Sequence, residues 1–364
     1  MYCLYLNVLH AICALSIDDI STIIGPRYII NLDYGIENKL TRVRSTILAL
    51  NTELKNPISQ EDIDTYHRDG VVCLRGVLNK DWIDLLLPVA KRLIIEREDF
   101  GLLPAIPGRY MARCIPEFRK LVFESAIAQA CGELLQSNEI RFFFDEIFAK
   151  PPKSDAKTIW HTDHMGWPVK GEMVPSLWLP ITDVSKENCL EVIAGSHSEN
   201  VPYWLFSPNA RKMIKPDDRI PHPECESKRK DGKTKFLSWD MKAGDLLFVH
   251  PRALHYSSGN TDADWRVAIS FRAFGDDIRW APRPDCVNLA GVSFDEMIEG
   301  EKPVGSHFPV LWSKSGHKDS DLNYPRDFAT RWPKTDMQGV NEYATFKKLK
   351  GNEIKDREAK AKVK

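Results

Sequence analysis

Between Arg141 and Phe274 the chain is cut into short runs of strand-forming residues, and this constrains the fold more than any other feature. Phe142, Phe144, Glu146 and Phe148 lie in a first run that ends at Lys150-Pro151-Pro152. Thr158–His161, Ser176–Ile181, Leu190–Ile193, Lys235–Trp239, Asp245–Val249 and Arg266–Phe274 follow. Turn signals divide them: Lys170-Gly171-Glu172, Ala194-Gly195-Ser196, Ala243-Gly244-Asp245 and Ser258-Gly259-Asn260. Many short strands with Gly and Pro turns fold as an antiparallel jelly roll or barrel. Such domains often exceed roughly 200 residues, so 364 residues need not imply several of them.

Helical signals flank this β region. Ser59 with Glu61 and Asp62 reads as an N-cap and acidic first turn, and the helix it opens stops at Asp69-Gly70. Val71–Leu74 is then a short buried strand. Trp82, Leu85, Leu86, Val89 and Leu93 recur at helical spacing in a second helix that starts near Asn79. Residues 99–116 form a loop rich in Gly, Pro and Arg, and 117–136 is helical. The stretch 200–234 carries five prolines and a run of charges. It reads as a lid-like surface insertion. The expected organisation is an N-terminal extension over 1–56, a β domain with N-terminal helices over 57–315, and a Lys-rich tail over 316–364. Met1–Leu15 is apolar but lacks a basic n-region and is too short to span a membrane, so it reads as an extension rather than a signal.

Composition excludes some partners. The net charge of −1 gives no global field for nucleic acid or an anionic membrane. Eight cysteines are scattered with no CxxC, as reduced thiols of a cytoplasmic protein would be. Ten Trp and 16 Phe are ample for an aromatic-lined pocket.

The chemistry concentrates in two segments. His161-x-Asp163 and, far downstream, His255 have the residue types of a 2-His-1-carboxylate facial triad, which suits non-haem Fe(II). In an extended segment His161 and Asp163 share a face, so both reach one ion. The alternative is a surface His-x-Asp at a strand end. Arg266, Ala268, Ser270 and Arg272 share one face of the last strand, opposite Val267, Ile269 and Phe271. A buried guanidinium needs an anion. For Arg272 that is a carboxylate ligand, or an ion pair with Glu146, Asp276 or Asp277. A dicarboxylate suits such an arginine.

Trp160-His161-x-Asp163, Trp178, the block Asn188-Cys189-Leu190-Glu191-Val192-Ile193-x-Gly195-Ser196-His197, and His255-x-Ser257-x-x-Asn260 followed by Arg266 resemble the phytanoyl-CoA dioxygenase family. The resemblance spans about 60–312 and includes Tyr66-His67-Arg68-Asp69-Gly70-Val71-Val72. It implies a mainly β fold with flanking helices, a cupin-like double-stranded β-helix. It also implies an Fe(II)/2-oxoglutarate-dependent dioxygenase that hydroxylates a C–H bond of a small organic molecule, releasing succinate and CO₂. By the resemblance His161, Asp163 and His255 hold the iron, and Arg266 and Ser257 hold the distal carboxylate of 2-oxoglutarate. Trp178 lines the co-substrate pocket or packs in the core, and Arg113 or Arg109 adds a basic contact. O₂ is the second co-substrate, and ascorbate keeps the iron reduced. Related halogenases lack the carboxylate ligand, so Asp163 favours hydroxylation. A jelly-roll binding protein and a cupin-type dioxygenase independent of 2-oxoglutarate remain the alternatives.

Overall fold

The computed structural model describes residues 48–94, 110–207, 212–215, 219–283 and 297–319, with 286 and 289. The apolar Met1–Leu15 stretch, Arg109 and most of the Lys-rich tail lie outside the described residues. The chain divides into two compact units, Met1–Leu50 and Asn51–Lys364. Asn51 is tied into the second unit. The Asn51 side chain accepts the Asn79 amide (2.8 Å) and donates to the Val77 carbonyl (2.9 Å).

Ser59 opens the first helix among the described residues, α1 (Gln60–Asp69), through a capping box. Its hydroxyl accepts the Asp62 amide (3.1 Å) while the Asp62 carboxylate accepts the Ser59 amide (2.9 Å). The helix ends at Gly70, φ 73°, where any Cβ would collide with the His197 ring. That contact explains the Gly-Ser-His motif. His197 Nε2 reaches the His67 carbonyl (3.1 Å), and Gly195 N–H donates to the Asp69 carbonyl (2.9 Å). Helix α2 (Lys80–Ile94) buries Trp82, Leu85, Leu86 and Val89, as its spacing requires. The helical stretch expected over 117–136 is two helices, α4 (Pro116–Glu124) and α5 (Ile127–Leu134), preceded by a single turn, α3 (Met111–Cys114).

The strands are β1 (Val71–Leu74), β2 (Glu139–Lys150), β3 (Thr158–His161), β4 (Val169–Lys170), β5 (Ser176–Pro180), β6 (Leu190–Ile193), β7 (Leu205–Ser207), β8 (Lys212–Ile214), β9 (Phe236–Leu237), β10 (Leu246–Val249), β11 (His255–Ser257), β12 (Arg266–Phe274), β13 (Arg279–Trp280) and β14 (Val310–Ser313). Six pair antiparallel in the order β1-β10-β5-β12-β2-β14, and four in the order β3-β11-β6-β9. From β2 onward the chain passes repeatedly from one sheet to the other, which is the winding of a double-stranded β-helix. Trp178, Val249 and Ala268 of the larger sheet pack with Leu190, Val192 and Leu237 of the smaller.

Asn260 pins the β11–β12 turn to the end of β2. It is fully buried, and its amide donates to the carbonyls of Lys150 (3.1 Å), Pro151 (3.0 Å) and Asp264 (2.8 Å). The 200–234 stretch is more structured than a plain loop. It holds β7, β8 and a short helix α6 (Cys225–Lys228), and Tyr203 and Cys225 pack on Ile193, Leu254 and Trp160. Trp160 stacks on Tyr256 (5.4 Å between rings), on the side of the small sheet turned away from His161.

Candidate metal centre

β3 and β11 pair so that His161 and His255 face each other, with ring centroids 4.1 Å apart. Each ring is oriented from behind. His161 Nδ1 lies 2.8 Å from the Ile159 carbonyl and His255 Nδ1 lies 3.0 Å from the Ala253 carbonyl. A carbonyl only accepts, so both Nδ1 atoms carry the proton and both Nε2 lone pairs point inward. The Ser196 hydroxyl accepts the Leu254 amide (2.9 Å) just before His255, which ties the Gly-Ser-His motif to this ring.

Asp163 reaches the same point by a route the sequence pattern did not foresee. β3 ends at His161, and Asp163 is bent (φ −88°, ψ −38°), not extended. The bend is held because Pro251 O accepts the amides of Asp163 (3.0 Å) and His164 (2.9 Å). Asp163 Oδ1 then lies 3.6 Å from His161 Nε2 and 3.8 Å from His255 Nε2. The three ligand atoms fall within 4.8 Å of one another.

Burial, then the neighbouring His255, drives the His161 imidazole down to about 3, so it is neutral at physiological pH. Burial alone would raise the Asp163 carboxyl; His255, Arg272, His161 and the Ser176 hydroxyl outweigh it and hold it below the usual carboxylate range. Lone pairs of two imidazole Nε2 atoms and one carboxylate that converge this closely repel unless a cation sits between them. Two nitrogens and one oxygen on one side of an ion, with the other side open, suit Fe(II).

The triad opens on a cavity of about 1130 Å³, counting its open mouth, between the two sheets. Arg266, Ser257 and Trp178 line it, as expected, and so do Phe148, Leu190 and Trp167. Trp178 is also part of the core between the sheets. Arg266 is 5% exposed; its Nη2 donates to Ser257 Oγ (2.9 Å) and its Nη1 to the Asn188 carbonyl. The Asn-Cys-Leu motif thus orients the arginine. Arg272 meets Glu146 (3.3 Å), one of its expected partners, and also Asp163 (3.8 Å).

Arg113 does not line this cavity. β2 turns Phe144, Glu146, Phe148 and Lys150 toward the cavity and Asp145 toward the helices, and Arg113 of α3 sits with Tyr110 and Asp145 on that helical side. Burial raises the Asp145 carboxyl to about 7 against the opposing pull of the Ala112 amide and Arg113. Sequence reasoning passed over Lys150. It stands directly across from Arg266 in the β2–β12 register, and its Nζ donates to Ser257 Oγ (3.1 Å) and to the Ser257 and Ser258 carbonyls. Burial and the Arg266 charge lower its ammonium to about 7. Its only local signal was a lysine closing a strand before Pro-Pro.

A double-stranded β-helix with two histidines and one carboxylate converging in its central cavity has the architecture of the non-haem iron oxygenase class. Residues 66–268, more than half of the chain, match the phytanoyl-CoA dioxygenase (PhyH) family, and the chain belongs to it. It is 28% identical over 180 residues to a phytanoyl-CoA dioxygenase of Arabidopsis thaliana, covering 48% of this chain and 58% of that protein. An ectoine dioxygenase of Bordetella bronchiseptica is 23% identical over 236 residues, covering 60% of this chain and 75% of that one. Thus the chain spans little more than half the length of the plant relative. Among solved structures, the epimerase SnoN in complex with Fe3+, alpha ketoglutarate and nogalamycin RO superposes with a TM-score of 0.55 at 23% identity, over 70% of this chain and 98% of that one. The carbocyclase SnoK gives 0.53 at 21%, over 70% and 97%. Both share the fold. No helix among the described residues is long and apolar enough to cross a membrane.

Proposed function

We propose that this protein is an Fe(II)/2-oxoglutarate-dependent dioxygenase that hydroxylates a C–H bond of a small organic molecule, with release of succinate and CO₂. The observation that carries the reading is the convergence of His161 Nε2, His255 Nε2 and Asp163 Oδ1 beside a cavity whose far end is cationic. In this reading those three atoms hold the iron, which when loaded supplies the activation of O₂. Arg266, Lys150 and Ser257 bind the distal carboxylate of 2-oxoglutarate. Ser257 lies two residues beyond His255 on β11, about 7 Å along a strand, which suits the span of a five-carbon diacid. Trp178, Phe148 and Leu190 flank that path and exclude water from it.

Toward the other end, Phe144, Trp167, Gly166 and Leu205 leave an apolar space for the organic substrate. Cys73, Cys131, Cys189, Cys225 and Cys286 are free thiols, which supports a reducing, cytoplasmic setting. The test is a succinate-release screen over pools of small molecules with Fe(II), ascorbate and 2-oxoglutarate. A pool that stimulates succinate formation in the natural chain is expected to do nothing in His161→Ala or Asp163→Ala. Full turnover in either variant sinks the assignment.

A further inference from the structure

The Asp163 carboxylate is held by its far oxygen. Oδ1 faces the two Nε2 atoms, whereas Oδ2 accepts the Ser176 hydroxyl and lies 3.8 Å from Arg272 Nη2. Ser176 and Arg272 are direct cross-strand partners on β5 and β12, so they present their side chains to the same spot by register. Arg272 has little freedom to leave it. It is 5% exposed, its Nη1 meets Glu146 (3.3 Å), and its guanidinium carbon lies 4.7 Å from the Phe144 ring centroid and 5.4 Å from that of Trp167. Its Nε is buried with no hydrogen-bond partner, although the guanidinium lines the cavity. A buried cation placed this way is costly unless it has a task.

We infer that Arg272 and Ser176 form a clamp that restricts Asp163 to one metal-facing oxygen. The clamp presupposes the metal at the triad. An Asp carboxylate free to turn can offer a cation both oxygens. Here that would consume a position that the facial triad leaves open for co-substrate or oxygen. With Oδ2 tied to the large sheet and both imidazoles tied to backbone carbonyls, of Ile159 and Ala253, all three ligands are oriented before the ion arrives. Arg272 and Ser176 are therefore positioning residues. The Glu146 carboxylate offsets the arginine's charge.

Charge and clamp make opposite predictions, which allows a clean test. By Coulomb's law, deleting a cation beside a divalent-metal site tightens metal binding. Loss of a residue that orients a ligand loosens it, by about ten- to a hundredfold for outer-shell partners. The experiment titrates Co(II) into the full chain, Arg272→Met and Ser176→Ala, with thermal melting of each metal-free protein as a folding control. The expected result is weaker Co(II) binding in both variants, by at least about tenfold. Equal or tighter binding in either folded variant overturns the clamp. Should Arg272→Met not fold, Ser176→Ala, which removes one oxygen and no charge, decides by the same criterion. Absence of Co(II) binding in the natural chain would instead overturn the metal reading itself.

Discussion

Replacing Arg266 by Met tests the co-substrate end of the cavity. The guanidinium is almost fully buried and meets Ser257 Oγ at 2.9 Å, so solvent barely screens it. Burial lowers it only to about 10, so it stays charged at neutral pH. Truncating one partner of a buried, hydrogen-bonded charge pair costs about 2–5 kcal/mol of binding. Lys150 remains beside the site and retains part of the attraction, so the lower half of that range applies, about 2–3 kcal/mol. At about 1.4 kcal/mol per tenfold, the Kd for 2-oxoglutarate should rise about 30- to 140-fold. Calorimetric titration of the Mn(II)-loaded protein measures this without turnover. The affinity for Mn(II) itself should stay within about threefold, because Arg266 touches no ligand of the triad. A 2-oxoglutarate Kd that moves less than about threefold would refute the assignment of this end to the distal carboxylate.

Lys150 gives the same end a pH dependence. Its ammonium titrates at about 7 in the ligand-free protein, and only the protonated form attracts a carboxylate. The 2-oxoglutarate Kd should therefore be flat below that value and rise as pH climbs through it, whereas Lys150→Met should bind weakly with that rise abolished. Calorimetry across the range reads both, and an unchanged slope in the variant counts against the role. Asn260→Ala leaves three carbonyls without their donor and should destabilise the chain by about 2–3 kcal/mol, read as a lower urea midpoint. Gly70→Ala forces a side chain into the left-handed region and onto the His197 ring. It should cost about 1–3 kcal/mol, and a melting temperature equal to the natural chain's would show that the helix end relaxes freely.

The features legible in the sequence were those carried by local periodicity. Thr158–His161, Leu190–Ile193 and Arg266–Phe274 are strands over the residues expected, because turn residues bound each run and alternation marks its faces. His161, Asp163 and His255 meet, but not through the extended geometry that motivated the pairing. Asp163 is placed by the Pro251 carbonyl, a contact between segments distant in sequence. The same limit hid Lys150, whose neighbour Arg266 belongs to another strand, and the register that sets Ser176 beside Arg272. Arg113 fell on the wrong side because nothing local says which face of β2 the helices cover. The block from Asn188 to His197 was legible as a motif, and only the fold shows its work. Asn188 anchors Arg266, Ser196 anchors the approach to His255, and His197 anchors the end of α1.

In the proposed function His161, Asp163 and His255 form an iron site to which 2-oxoglutarate binds. Anaerobic addition of 2-oxoglutarate to the Fe(II)-loaded chain tests it most directly, through the visible charge-transfer absorption of the chelate. The expected result is a band that saturates at stoichiometric 2-oxoglutarate and is lost in His255→Ala. A natural chain that gives no band, or a His255→Ala variant that keeps it in full, would contradict the claim.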